Sequence, residues 1–191
     1  MLSLHAPPRA QIERFLEEQG RLPFSYPAVG ATRTAPPAGY DLDHHRVRLG
    51  AGQAAYRRAC SALDRWQMFD IPWVQLCWPT VPAEPGACVV VLVRLVGIWW
   101  LNACRVVYRV EEVGDVERFG FAYGTLPGHA EMGEERFLIE WDHATDAVWY
   151  DLLAFSRPRH PLARLGYPLA RRWQKRFACA SLAAMRKAAR G

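Results

Sequence analysis

Apolar positions recur at helical spacing near both ends of this chain and at alternate residues through its middle, and that change of period sets the fold class. Pro7 to Gln19 reads as a short amphipathic helix. Prolines suit its start, Ile12, Phe15 and Leu16 form its apolar stripe, and Gly20 stops it. Leu22 to Tyr40 turns to Pro, Gly and Ala with Phe24, Tyr26 and Tyr40 as aromatic anchors, the composition of an extended arm lying on a domain. Asp43 to Leu49 alternates, with His45, Val47 and Leu49 on one face. From about Gln53 to Met68 the period is helical again, with Tyr56, Ala59, Cys60, Leu63 and Trp66 on the side to be buried, and Pro72 ends it. Strands are then predicted over Trp73–Trp78, Ala87–Val96, Trp99–Val110, Arg118–Leu126, Glu135–Trp141 and Ala147–Phe155. Their short connections imply an antiparallel meander. Arg159 to Arg190 is the longest helical pattern: Leu162, Leu165, Leu169, Trp173, Phe177, Ala180, Ala184 and Ala188 step along one face, and Pro168 places a break near Gly166.

The class that follows is α+β. A curved antiparallel sheet with one polar face must bury its other face, and the long C-terminal helix is the partner available. A concave sheet gripping one helix leaves a cavity between them. Residues 1–40 are expected to form an N-terminal helix and arm packed on a domain spanning 41–191.

Composition adds a large core: 51% of the 191 residues are hydrophobic and eight are tryptophan. The net charge of +5 is uneven. Arg159 to the end carries seven arginines, two lysines and no acid, which is +9, so residues 1–158 carry −4. The basic character belongs to one segment. Five cysteines show no CxxC or other metal-ligand spacing, and the reading is reduced, buried thiols in a cytoplasmic protein. The N-terminus is interrupted by Arg9, Glu13, Arg14 and Glu17, unlike a signal peptide. The longest apolar run, Ala87 to Ile98, is broken by Arg94, so no transmembrane segment is expected.

Several segments carry a resemblance: SYPAVGAT at Ser25–Thr32, RLGAG at Arg48–Gly52, NACRVVY at Asn102–Tyr108, FGFAYGTLPGHAEMGEERF at Phe119–Phe137 and AFSRP at Ala154–Pro158. Through them the chain resembles the uncharacterised proteins grouped as domain of unknown function 1990, over nearly its whole length. The resemblance and the order of elements together imply a helix-grip-like fold, a curved antiparallel sheet wrapped around a long C-terminal helix, similar to the birch-pollen allergen and the START lipid-transfer domains. The resemblance implies no established activity, cofactor or catalytic residue.

The densest run of reactive side chains is His129, Glu131, Glu134, Glu135 and Arg136. A histidine can act as a base near neutral pH, a carboxylate can orient it, and an arginine can hold a carboxylate or an oxyanion. His129, Glu134 and Arg136 are therefore the catalytic candidates. The plainer reading is that TLPGHAEMGEE is a loop using Gly, Pro and charge to turn in water, with its glutamates paired to Arg136, Arg105 or Arg109. Asn102, Arg105, Tyr123, Thr125, His129 and Glu135 are the candidate ligand contacts, placed to flank a mostly apolar cavity. His44 and His45 with Asp41 and Asp43 could suggest a metal, but adjacent strand residues point to opposite faces, so no metal is assigned. The basic C-terminal face offers no exposed aromatic platform, so no nucleic acid is expected. The function favoured is binding of a hydrophobic or amphipathic small molecule, without a cofactor. Two other classes stay open: an enzyme acting on such a ligand through His129, Glu134 and Arg136, and an interaction module using the basic helix.

Overall fold

The computed structural model describes residues 2–95 and 97–190. In chain order these form β1 (Leu2–Ser3), α1 (Arg9–Gly20), β2 (Asp41–Ala51), α2 (Gly52–Asp64), β3 (Val74–Cys77), β4 (Cys88–Leu95), β5 (Ile98–Glu112), β6 (Val116–Thr125), β7 (Glu131–Asp142), β8 (Ala147–Pro158), α3 (Pro161–Leu165) and α4 (Tyr167–Arg190). Val96, which would close the strand predicted over Ala87–Val96, lies outside the described residues.

All strand pairs are antiparallel, in the order β2-β8-β7-β6-β5-β4-β3, and β1 pairs with β5. The predicted meander is therefore β3 through β8. β2 joins β8 at the opposite edge from β3, and α2 carries the chain between those edges. Register shifts at Arg48/Gly50 and Val106/Tyr108 add a residue to one strand of each pair and bend the sheet. The concave face closes on α4, which is the helix-grip architecture.

The main core lies between that face, α2 and α4. Ala55, Ala59 and Ala62 give α2 a small-residue face beside the fully buried Leu63, so the helix packs closely against its neighbours. Tyr150 of β8 and Ser181 of α4, both fully buried, share a hydrogen bond at 3.0 Å that ties sheet to helix. At the far end Arg58 of α2 donates to the carbonyl of Ala189, one of the unpaired acceptors in the last turn of α4. The five cysteines are all free; Cys77 and Cys104 are buried, and Cys179 is exposed.

On the convex face α1 buries Ile12 and Phe15 against a second apolar cluster with Val90, Leu101 and Leu126. Tyr26 follows on, its ring edge-on to Phe155. Gly124 makes this approach possible, since a Cβ there would lie 2.0 Å from the Tyr26 hydroxyl. No helix among the described residues is long and apolar enough to cross a membrane.

α4 departs from the sequence reading in one respect. The break near Gly166 is present, but Leu162, Leu165 and Leu169, read as steps along one apolar face, are exposed at 52%, 86% and 54%. Leu162 and Leu169 line a cavity between sheet and helices instead of a filled core. Further along α4 the buried positions are Ala178, Ser181, Met185 and Ala189, each one residue on from the predicted Phe177, Ala180, Ala184 and Ala188.

Candidate functional site

β7 begins at Glu131, four residues earlier than its alternation of apolar residues suggests. Glu131 to Glu135 are thus strand rather than loop, and the turn shrinks to residues 126–130. Neighbours on this strand then face opposite ways. Glu131, Gly133, Glu135 and Phe137 face the concave side, while Glu134 and Arg136 send their polar groups to the convex side.

Glu134 is 2% exposed and holds the segment after α1. Its carboxylate accepts from the Tyr26 hydroxyl at 2.7 Å, the Gly30 N–H at 2.6 Å, the Thr32 N–H at 3.0 Å and the Thr32 hydroxyl at 2.5 Å. Arg136 donates to the Thr32 carbonyl at 3.1 Å and to Asp151 at 2.9 Å. Arg105 lies on the same side, donating to the carbonyls of Gly20 and Leu22 with its guanidinium over Phe24. The remaining candidates, Asn102, Tyr123, Thr125, His129 and Glu135, line one concave-side cavity. The fold does not bring the polar groups of His129, Glu134 and Arg136 together.

That cavity holds about 540 Å³ between the sheet and the helices α3 and α4. Its floor owes its depth to small residues, Gly133 on β7 and Ala154 and Ser156 on β8. Its walls are aromatic: Phe69, Trp73, Trp100, Trp173 and Phe177. Trp73 and Trp173 meet edge to face, 100 residues apart in sequence, with ring centroids 5.3 Å apart. A second, open hollow of about 660 Å³ lies beside Arg186 and Arg190, near the end of α4. It contains none of the candidate residues.

The polar groups of the cavity fall into satisfied and unsatisfied sets. Asp43 of β2 takes a bidentate pair from Arg171 of α4 at 2.6 and 2.8 Å, and Asp41 accepts from the Tyr167 hydroxyl at 2.8 Å. The Asn102 side chain accepts from the Ala130 N–H and donates to the Trp100 carbonyl, which shapes the turn. Thr125 exchanges hydrogen bonds with the backbone of Gly133. His129 Nδ1 accepts from the Glu131 N–H at 2.9 Å, which leaves the ring proton on Nε2. Burial pushes the pKa of His129 down to about 4, so the ring is neutral at physiological pH. By contrast, Glu131 Oε2 and His45 Nε2 are buried and have no hydrogen-bond partner among the described residues. Glu135 accepts from the Tyr123 hydroxyl at 2.7 Å and from no cation among the described residues.

Burial lifts both glutamates. Glu131 rises to about 7, with Asp41 adding to the effect and Arg171 opposing it. Glu135 also rises to about 7, with the Tyr123 hydrogen bond opposing and Asp43 adding. An unfolded glutamate titrates near 4.5, so between pH 4.5 and 7 the folded Glu135 keeps a proton that the unfolded chain has lost. Its contribution to stability therefore falls as pH rises through that window, and the cost is complete above pH 7. Glu135→Gln keeps the acceptor for Tyr123 and removes this cost. It is expected to stabilise the protein at pH 8 by roughly 2 kcal/mol and by much less at pH 5, read from urea midpoints.

Sequence reasoning missed Asp43 and Arg171 as a pair, Asp41 with Tyr167, and the roles of Gly133 and Ala154. Their partners lie far apart in the chain or on elements whose rotation only the fold sets. The alternation Phe137, Ile139, Trp141, carried back two residues, would have separated Glu135 from Glu134.

The sequence pattern of the family described as domain of unknown function (DUF1990) matches residues 25–184. A UPF0548 protein of Deinococcus radiodurans is 40% identical over 190 residues, covering 93% of this chain and 93% of that protein. A UPF0548 protein of Dictyostelium discoideum is 34% identical over 208 residues, covering 98% and 95%. Among solved structures, a hypothetical protein from Helicobacter pylori aligns over 85% of this chain and 94% of its own, with 11% identity and a TM-score of 0.49.

Proposed function

The chain belongs to the DUF1990 family, and on that premise we propose that it binds a hydrophobic or amphipathic small molecule between the sheet and α4. The supporting observation is the cavity of about 540 Å³, walled by aromatic rings and carrying a few polar groups at fixed places. That volume and lining suit a ligand of small-molecule size, whose apolar surface would leave water on entry. The fold supplies the depth through Gly133, Ala154 and Ser156, and a larger side chain at Ala154 or Ser156 would fill it.

Nile red, a neutral dye that brightens out of water, tests the reading. It should bind the native protein with one-to-one stoichiometry. Ala154→Phe places a ring on the cavity floor and should weaken that binding at least tenfold while the circular dichroism spectrum stays native. Equal binding to native protein and Ala154→Phe, or no binding to either, contradicts the proposal.

A further inference from the structure

The cavity wall contains Asp43, Glu131, Glu134 and Glu135 but no lysine or arginine among the described residues. Asp43 is neutralised from outside the wall by Arg171. Glu134 spends its carboxylate on the convex side. Glu131 and Glu135 remain on the concave side of one strand, and neither forms an ion pair among the described residues. Arg171 acts on Glu131 through space, whereas Glu135 is influenced by burial, Tyr123 and Asp43 and by no cation among the described residues. Across the strands Glu135 sits beside Ala154, and Ala154 beside Asp43, so a small residue leaves open the space in front of the carboxyl.

An ion of either sign entering here would lose its hydration, but an anion would then meet two carboxyls and no lysine or arginine in the described wall, whereas a cation would meet groups that offset the loss. The rings of Trp73 and Trp173 already carry the Arg176 guanidinium, 6.0 and 4.8 Å from their centroids, so they serve a ligand's apolar body and leave its charge to the carboxyls. The unpartnered acceptor at Glu131 Oε2 invites a donor from the same direction.

We propose that the cavity selects an amphipathic organic amine, its ammonium paired with Glu135 and its apolar body held against Trp73, Trp100 and Trp173. This rests on the reading of the cavity as a small-molecule site and adds the sign of the ligand's charge. Selectivity follows from the placement of charge alone: a neutral molecule of the same shape keeps the apolar contacts and lacks the ion pair.

Three probes of matched size separate the two ideas: naphthylmethylamine, naphthylmethanol and naphthoate, titrated at pH 7.5 by quenching of tryptophan fluorescence and confirmed by calorimetry. The amine is expected to bind at least tenfold tighter than the alcohol, and naphthoate more weakly than either. Glu135→Gln should bring the amine to the affinity of the alcohol and leave the alcohol unchanged, a readout that general damage to the fold would not give. If the alcohol or naphthoate binds as well as the amine, the amine preference is overturned and the cavity still stands as a site. If the preference survives Glu135→Gln, the assignment of the ammonium is overturned. If none of the three binds, the reading of the cavity falls with it.

Discussion

Glu134→Ala is expected to lower stability by roughly 3–5 kcal/mol and to free the segment around Tyr26 to Thr32 from the convex face. The carboxylate accepts four hydrogen bonds, from Tyr26, Gly30 and twice from Thr32. Alanine removes every acceptor at once and leaves the donors facing a space that water enters only if the segment lifts away. Buried donors without acceptors cost far more than the net worth of the bonds they made, which puts this substitution among the most damaging single changes. In a chain of this length each kcal/mol moves Tm by about 2–4 °C, so a drop of about 10 °C or more is expected by calorimetry. Tryptic cleavage after Arg21 or Arg33 should speed up in parallel. Glu134→Gln keeps one acceptor oxygen and should lose less than half as much. A shift in Tm below about 2 °C for Glu134→Ala would show that the carboxylate does not hold the segment.

Gly133→Ala carries the second large effect, and a single methyl group delivers it. A Cβ at this position would lie 1.9 Å from the Phe155 carbonyl oxygen and 2.8 Å from the Ser156 Cα, both backbone atoms of β8 that cannot rotate away. The residue also has φ of +154°, outside the range that side chains prefer. The ladder between Gly133 and Ser156 would have to open, with a cost of about 3 kcal/mol or more. Opening it moves the cavity floor and Glu131, so Nile red binding should fall together with the urea midpoint. Gly114→Ala is the control. A Cβ there meets nothing within 4 Å, and its effect should be below about 1 kcal/mol.

Much of the architecture is legible in the sequence because local period and packing agree over long stretches. β8 and the order of the meander from β3 fall where alternation places them, and α2 begins where helical spacing places it but ends at Asp64, short of the predicted Met68. Most of the charge of the +9 segment lies on the long helix, with Arg159 and Arg164 before it. The site is less legible, for three physical reasons. Charged residues broke the apolar alternation before Glu135, so a strand that begins at Glu131 looked like a polar loop, and its carboxylates looked solvated when they are enclosed. A helical stripe marks what can be buried, not how far the partner surface extends. Leu162 and Leu169 reach the cavity instead of a packed core, and Leu165 reaches neither, so all three stay exposed. Finally, partners such as Asp43 and Arg171, Glu134 and Thr32, or Trp73 and Trp173 meet only through the fold. No periodicity encodes them.

The dense run from His129 to Arg136 thereby divides in two. Its outward half, Glu134 and Arg136, fastens the chain that crosses the convex face. Its inward half, His129, Glu131 and Glu135, lines the cavity with a neutral ring and two carboxyls poised near neutrality.

Native mass spectrometry tests the central claim most directly. The purified protein is incubated with a small-molecule extract of cells and sprayed under gentle conditions, beside Ala154→Phe treated in the same way. The account predicts a complex heavier than the bare chain by one molecule of a few hundred daltons, released on collisional activation and missing from Ala154→Phe. Bare chain alone in both samples, or the same adduct on both, would contradict it.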